Sequence, residues 1–511
     1  MTELISGARR LSHAELQQRA AQAAGGFRQL GIGDGDVVAL YMRNDFAFFE
    51  ATLAAGLAGA YATPVNWHFT AEETAYILSD SEAKVLVVHG DLWPRIAAVV
   101  PRHVHVFIVP TPPEIAGAYG ADTALPPEAA GFRLWDEWVA AQQPLQGGST
   151  LPRGSMIYTS GTTGRPKGVR RQQPTQEQYD GNRQAAATYF GLKPGTDMTV
   201  LMNGPMYHSA PNSYGIMAAR LGTRIVLQPR FDAEEMLQLI ERHRITHMHI
   251  VPTMFVRLLK LPEEIRRRYD LGSLRDVVHG AAPCPPDVKQ AMLDWWGPVI
   301  NEYYGSTETG IAVWLSAADA RRKRGSVGCV LPGAVVKIFS EDGRELPPGE
   351  TGEIYMRASY IPDFTYNKLD DKRAEVGRGD LVTVGDVGFI DNEGFVYLCD
   401  RKRDMVISGG VNIYPAEIES VLIGMPGVKD CAVFGIPDEE FGESLCACIE
   451  PDPREAPPAP AAVRSYLAER VAKYKVPKIV EIVPGLPRED SGKIFKRKLR
   501  EPYWEKAGRA I

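Results

Sequence analysis

Two textures alternate along the first three quarters of this 511-residue chain. Ala/Leu-rich segments with helical spacing, such as 14–30 and 233–243, are interleaved with short β-branched runs at 85–88, 104–109 and 224–227. Parallel strands need a covering crossover, usually a helix, so this alternation points to an α/β chain built on parallel sheets. From about residue 325 glycines and prolines crowd together and short strands follow one another (335–339, 353–355, 395–397), the pattern of a smaller strand-rich unit. After residue 400 a compact unit has its own helix signals at 415–422 and 462–471, with the Pro-rich tract 452–460 as an internal loop. The expected division is 1–400, a joint at 401–403, and 404–511.

Composition removes several classes. Apolar residues are 44 % and charged residues 23 %, enough for a large core and unlike a disordered chain. Lys+Arg number 57 against 63 Asp+Glu, a net charge of -6, so no basic field exists to gather nucleic acid. Six cysteines without a CxxC pair exclude a disulfide framework or structural zinc site. The start, MTELISGARR, has no charged-then-apolar leader, and the most apolar helix-like stretch, 46–65, carries Glu50. A soluble cytoplasmic protein without an integral membrane segment is expected.

The sharpest motif is Tyr158-Thr159-Ser160-Gly161-Thr162-Thr163-Gly164-Arg165-Pro166-Lys167-Gly168. Hydroxyls, glycines and one lysine at this density make a loop able to wrap a polyphosphate. It is not a Walker A loop, because Lys167 follows proline and precedes glycine.

This loop resembles the phosphate loop of the adenylate-forming superfamily of acyl-CoA synthetases, adenylation domains and beetle luciferases. Further elements stand in the family's order: Pro205-Met206-Tyr207-His208, Gly280-Ala281-Ala282-Pro283, Tyr304-Gly305-Ser306-Thr307-Glu308, Gly385-Asp386, Asp400-Arg401, 409–419, and Leu486-Pro487-Arg488 to Gly492-Lys493. The resemblance implies a large N-terminal domain of stacked α/β subdomains with a small β-barrel-like subdomain, and a small mobile α+β C-terminal domain. It implies an acid–thiol ligase in which a carboxylate attacks the α-phosphate of ATP, pyrophosphate leaves, and the thiol of coenzyme A displaces AMP. ATP, Mg²⁺, coenzyme A and a carboxylic acid are the implied small molecules. Nucleotide contacts fall to Thr159, Ser160, Gly161, Thr162, Thr163, Gly164, Lys167, Gly280, Ala281, Ala282, Glu302, Tyr303, Tyr304, Gly305, Thr307, Asp386 and Arg401. Beside that set Glu308 holds the metal, since hard cations take carboxylate and phosphate oxygens, and within it Asp386 takes the ribose. Lys493 is the cation for the adenylation transition state; His208, Thr307 and Glu308 complete the catalytic group. Arg403 is the implied hinge, with Gly409 and Gly410 lining the pantetheine path and Arg230 meeting a coenzyme A phosphate.

Departures touch the edges of the pattern: Val384 before Gly385, Ile407 where several relatives have lysine, and His279 before Gly280. The acyl pocket is assigned to His208, Ala210, Tyr214 and His279. Tyr207-His208-Ser209-Ala210 offers no aspartate for an amino acid's ammonium, which disfavours that substrate class. Small residues at 209 and 210 suggest an open channel for a medium- or long-chain fatty acid; Tyr214, Met254, Tyr303 and Trp314 offer the alternative of a flat pocket for cinnamate- or ferulate-type acids. A stand-alone enzyme loading a carrier protein and a luciferase-like oxygenase or inactive relative are the competing classes. The basic run Lys493, Lys496, Arg497, Lys498 and Arg500 reads as a solvated face or a weak peripheral membrane contact; a homodimer is left open.

Overall fold

The computed structural model of the chain describes residues 2–148, 151–159, 165–194, 197–409, 411–488 and 494–506. Its largest sheet has a parallel half and an antiparallel half. Strands Glu3–Ser6, Arg224–Leu227, Thr199–Met202, His247–Ile250, Asp276–His279 and Ile300–Ser306 run parallel in that spatial order. The turn after Ser306 reverses the chain, and Gly310–Leu315, Ser326–Val330, Phe395–Arg401, Asp386–Ile390 and Gly352–Ala358 continue the same sheet antiparallel. The strand-rich unit expected after residue 325 is therefore hydrogen-bonded onto the edge of the parallel sheet.

A second, wholly parallel sheet orders Tyr61–Pro64, Val37–Tyr41, Val85–His89, His105–Val109 and Arg133–Leu134. Helices His13–Gln29, Phe46–Leu57 and Ser209–Arg220 fill the space between the sheets, where Phe27, Phe49 and Ala54 meet Val38 and Val87 from one sheet and Val200 and Met202 from the other. The apolar stretch 46–65 is thus a helix, a turn at Gly59 (φ 79°) and a strand. Glu50 is tolerated inside it because Arg19 Nε (2.6 Å) and Trp135 Nε1 (2.7 Å) donate to its carboxylate.

The large sheet ends at Arg401, and Val406–Ser408 already belongs to another sheet with Val411–Ile413, Val428–Asp438, Gly442–Pro451 and Ile479–Ile482. Helices Pro415–Leu422, Pro460–Ala468 and Lys496–Lys506 accompany it. The second of these starts earlier than its apolar pattern, on a proline suited to the first helical position, and stops at Ala468. All six cysteines are free. No helix of the described residues is long and apolar enough to cross a membrane.

Candidate active site

The phosphate-loop motif is a hairpin. Ile157–Thr159 pairs antiparallel with Lys167–Arg171, and Phe364–Tyr366 extends the pair on its other edge. Residues 160–164 between the strands, with Gly410 and Lys493, lie outside the described residues. Thr159 Oγ1 donates to Lys167 O (3.5 Å), and Tyr158 Oη to Asp80 (2.6 Å). Lys167 Nζ stands 5.2 Å from the centre of the Tyr366 ring, whose hydroxyl donates to Glu308 Oε1 (3.2 Å). Arg171 donates to the carbonyls of Thr307 (2.5 Å) and Glu308 (3.2 Å), fixing the backbone beneath both catalytic candidates. Its burial pushes this guanidinium down to about 10.

Sequence reasoning misses Tyr366 and Arg171: the first sits on a three-residue strand without a motif, and the second leaves only the charge doublet Arg170-Arg171 after Val169 as its signal. Glu308 fits a magnesium ion, because one carboxylate oxygen takes the Tyr366 hydrogen bond and the other remains a hard donor. No cluster of three acidic, His or Cys ligands exists among the described residues, so substrate phosphates would complete the shell.

The ribose-side candidates converge through strand pairing. Asp386 faces Arg401 across an antiparallel pair, their side chains 3.3 Å apart, and Tyr304 Oη donates to Asp386 Oδ2 (2.7 Å). Burial and this carboxylate hold the Tyr304 phenol well above its ordinary range, so it stays a donor. Gly280, Ala281 and Ala282 follow the C-terminal end of Asp276–His279; Ala281 holds φ 67°, a left-handed conformation costing about 1–3 kcal/mol that clusters at functional sites. A Cβ on Gly280 would lie 2.6 Å from the Tyr303 ring, and one on Gly305 2.1 Å from Gly310 O, so both close approaches require glycine.

On the acyl side, Asn44 clamps the segment before His208 from both ends, donating to Gly204 O and accepting from Met206 N (both 2.8 Å). His208 occupies the position just before helix Ser209–Arg220 without a side-chain capping bond, with Ala210 half-buried in the first turn and Tyr214 buried lower down. Under this helix Phe190 lies 6.1 Å from Tyr214, 5.9 Å from Tyr303 and 5.5 Å from Trp314, ring centre to ring centre. His249 Nε2 and Tyr303 Oη are hydrogen-bonded at 2.9 Å, and burial pushes the imidazole down to about 4. Met254 is elsewhere, in the core with Phe255 and Met292 on the sheet's other face.

That other face also takes two residues expected in the site. Side chains on a strand alternate, and the register pairs His279 with Glu302 and Val278 with Asn301, so His279 and Glu302 point away from His249 and Tyr303. Glu302 is buried in an ion pair with Lys289 of helix Pro286–Trp296, and His279 Nδ1 is 4.0 Å from the same carboxylate. Burial raises Glu302 and drives His279 well down, leaving a neutral imidazole against Phe255. Lys289 had a readable signal: it shares a helical stripe with Met292, Leu293 and Trp296, and a lysine on a core stripe demands a buried acid.

Gly409 has φ 57° and donates its N–H to Phe441 O (2.8 Å). Arg230 is exposed, donates to Ala118 O (3.4 Å), and borders a cleft of about 610 Å³ that also includes Glu114, Arg242 and His243. Arg403 O accepts from Arg500 (3.2 Å). The basic run is thereby partly spent inside the C-terminal unit, since half-buried Lys496 pairs with Glu419 (2.8 Å) and Arg497 with Glu501 (2.5 Å).

Known proteins match this arrangement. The AMP-binding enzyme family matches residues 1–361, and the AMP-binding enzyme C-terminal domain matches 417–493. The chain is 33 % identical over 494 residues to the long-chain-fatty-acid–CoA ligase FadD13 of Mycobacterium tuberculosis, covering 97 % of this chain and 93 % of that one. It is also 33 % identical over 510 residues to a feruloyl-CoA synthase of Amycolatopsis sp, covering 98 % and 96 %. The solved structure of the anthranilate CoA ligase AuaEII with anthranoyl-AMP superimposes with a TM-score of 0.85 at 26 % identity, covering 99 % of this chain and 95 % of the other. With both domain types matched in order around one nucleotide-facing set of strands, the chain belongs to the AMP-binding enzymes of the adenylate-forming superfamily, in the acid–CoA ligase branch.

Proposed function

We propose that this protein is an AMP-forming acid–CoA ligase whose acid is aromatic. The observation that carries the choice of acid is the ring cluster beneath helix Ser209–Arg220: Tyr214, Tyr303 and Trp314 each stand within 6.1 Å of Phe190, ring centre to ring centre, where an alkyl tunnel would need a long open bore. Ser209 and Ala210 give entry at the helix start, and the rings flank what enters.

In the first half-reaction ATP lies along Gly280–Ala282 and Tyr304, its ribose on Asp386, and the acid's carboxylate is held beside His208. Glu308 and the phosphates would hold Mg²⁺, which would supply charge neutralisation at the reacting phosphate. Arg171 and Tyr366 keep Thr307 and Glu308 in place, and Lys493 is the cation for the pentavalent transition state. The carboxylate oxygen bonds to the α-phosphorus as the bond to pyrophosphate breaks. The C-terminal unit, turning about Arg403, then brings Gly409 and Gly410 to the pantetheine arm, and the thiolate sulfur displaces AMP from the acyl carbon.

A panel of benzoates, cinnamates and straight-chain acids, scored for coenzyme A-dependent AMP release, tests the reading. Aromatic acids are expected to have the higher kcat/KM. A uniform rise with alkyl chain length, exceeding every aromatic acid, overturns the aromatic choice and leaves the ligase; transfer to a carrier protein but not to coenzyme A overturns the ligase.

A further inference from the structure

Tyr214 is the one phenol of the ring cluster whose hydroxyl is left open. Tyr303 Oη is satisfied by His249 at 2.9 Å. Tyr214 is only 5 % exposed, and its Oη has no hydrogen-bond partner among the described residues. Its ring lies between Phe190 and His249, 6.1 Å from each, and the group facing its hydroxyl electrostatically is Asp276, whose own Oδ1 is held by Asn301 Nδ2 at 2.9 Å. Buried hydroxyls are paired in native structures, and each exception needs an explanation.

Position supplies one. Helix Ser209–Arg220 descends from His208, and Tyr214 is six residues below it, about 9 Å along the axis at 1.5 Å per residue. Asp276 opens the strand whose far end leads to the nucleotide-side Gly280, so Asp276 lies at the end of that strand away from the nucleotide side, and Tyr214 lies further along its helix than His208. An aromatic acid with its carboxylate at His208 would bring the far edge of its ring to Tyr214.

We infer that Tyr214 Oη is the hydrogen-bonding partner of a polar substituent at the distal end of the acid, so that the enzyme selects hydroxylated over unsubstituted aromatic acids. This rests on the aromatic reading above. Asp276, whose carboxyl burial raises to about 6, adds a second oxygen on the same side. A site that pairs a substrate hydroxyl rejects the analogue lacking it far more strongly than an apolar pocket rejects a missing methylene.

The experiment compares 4-hydroxycinnamate with cinnamate, and 4-hydroxybenzoate with benzoate, in the wild-type enzyme and in Tyr214→Phe, by kcat/KM for AMP release. The wild type is expected to favour the hydroxylated member of at least one pair by about tenfold or more, and Tyr214→Phe to lose that ratio. Thermal denaturation of the variant keeps folding separate; removing an unpaired hydroxyl should leave the midpoint unchanged or raised. Equal kcat/KM within both pairs, or a preference that survives in Tyr214→Phe, overturns this inference alone. Turnover of straight-chain acids with none of the four aromatic acids overturns the aromatic reading and this inference with it.

Discussion

Glu302 and Tyr303 are adjacent in sequence and leave the sheet on opposite sides. Tyr303 joins Phe190, His249 and Trp314 under helix Ser209–Arg220; Glu302 joins Lys289 and His279 under helices Pro252–Leu259 and Pro286–Trp296. Glu302, His279 and Lys289 are buried, whereas Phe190 and Trp314 on the other face are half-buried, and the two faces differ in how their polar atoms are served. On the Glu302 side an acid and a base neutralise each other, and Lys289 also donates to Ser326 O (3.3 Å), tying one helix to two strands. On the Tyr303 side there are neutral rings and one phenol awaiting a partner. The charged pair supports the nucleotide strand from behind, although both ring nitrogens of His279 beside it make no hydrogen bond among the described residues; on the other face the unpaired polar atom is a phenol on the side of the helix that begins at His208.

The largest effect should come from opening the closed face. Lys289→Met strands a buried carboxylate, and breaking one partner of such a pair costs about 3–5 kcal/mol. Urea denaturation should show that loss, and Lys289→Met with Glu302→Gln should regain much of it because no charge is left unpaired. If the double variant is no more stable than the single one, the ion pair is not what holds this face.

The Lys289–Glu302 pair also marks how far the sequence could be read. The helix expected over 233–243 forms over those residues, since its apolar stripe is strong and Asp232 Oδ1 accepts from Glu235 N (2.9 Å) as a cap. Motif order assigned Asp386, Arg401 and Tyr304 to the nucleotide, and strand pairing brings their three side chains together. What stayed hidden was parity. His279 and Glu302 belong to the right strands, yet which face a strand residue takes depends on register with neighbours far away in the chain. Arg171 and Tyr366 were hidden for a related reason, because their role exists only once Phe364–Tyr366 pairs with Lys167–Arg171 across nearly two hundred residues.

A smaller effect is expected from the open face. Tyr303→Phe removes the hydroxyl bonded to His249 and leaves a buried ring nitrogen unpaired, at about 1–3 kcal/mol. Its kinetic signature should be a raised KM for the acid with little change in KM for ATP. An equal rise in both would mean that the two faces are not functionally separate, and would break the comparison more deeply than any stability value.

The gentlest probe leaves both faces intact and changes only protons. Folding holds His249 down at about 4, below its ordinary value near 6.5, because the charged ring would be buried. Between these two values the unfolded chain binds a proton at this position and the folded chain does not, so stability rises with pH through that window. The contribution is whole above about 6.5, is lost as pH falls toward 4, and changes no further below. Asp276, raised to about 6, runs the other way, since its folded form keeps a proton that the unfolded form has lost. A plain pH profile mixes the two, and comparison with His249→Gln separates them: the amide does not titrate, can still bond Tyr303, and leaves Asp276 in both proteins. The wild type should lose up to about 1.4 kcal/mol more than the variant for each pH unit descended between 6 and 4.5, the value of one proton per unit. Parallel profiles would mean that His249 carries its charge in the folded protein, and the Tyr303 face would then be no more neutral than the one behind it.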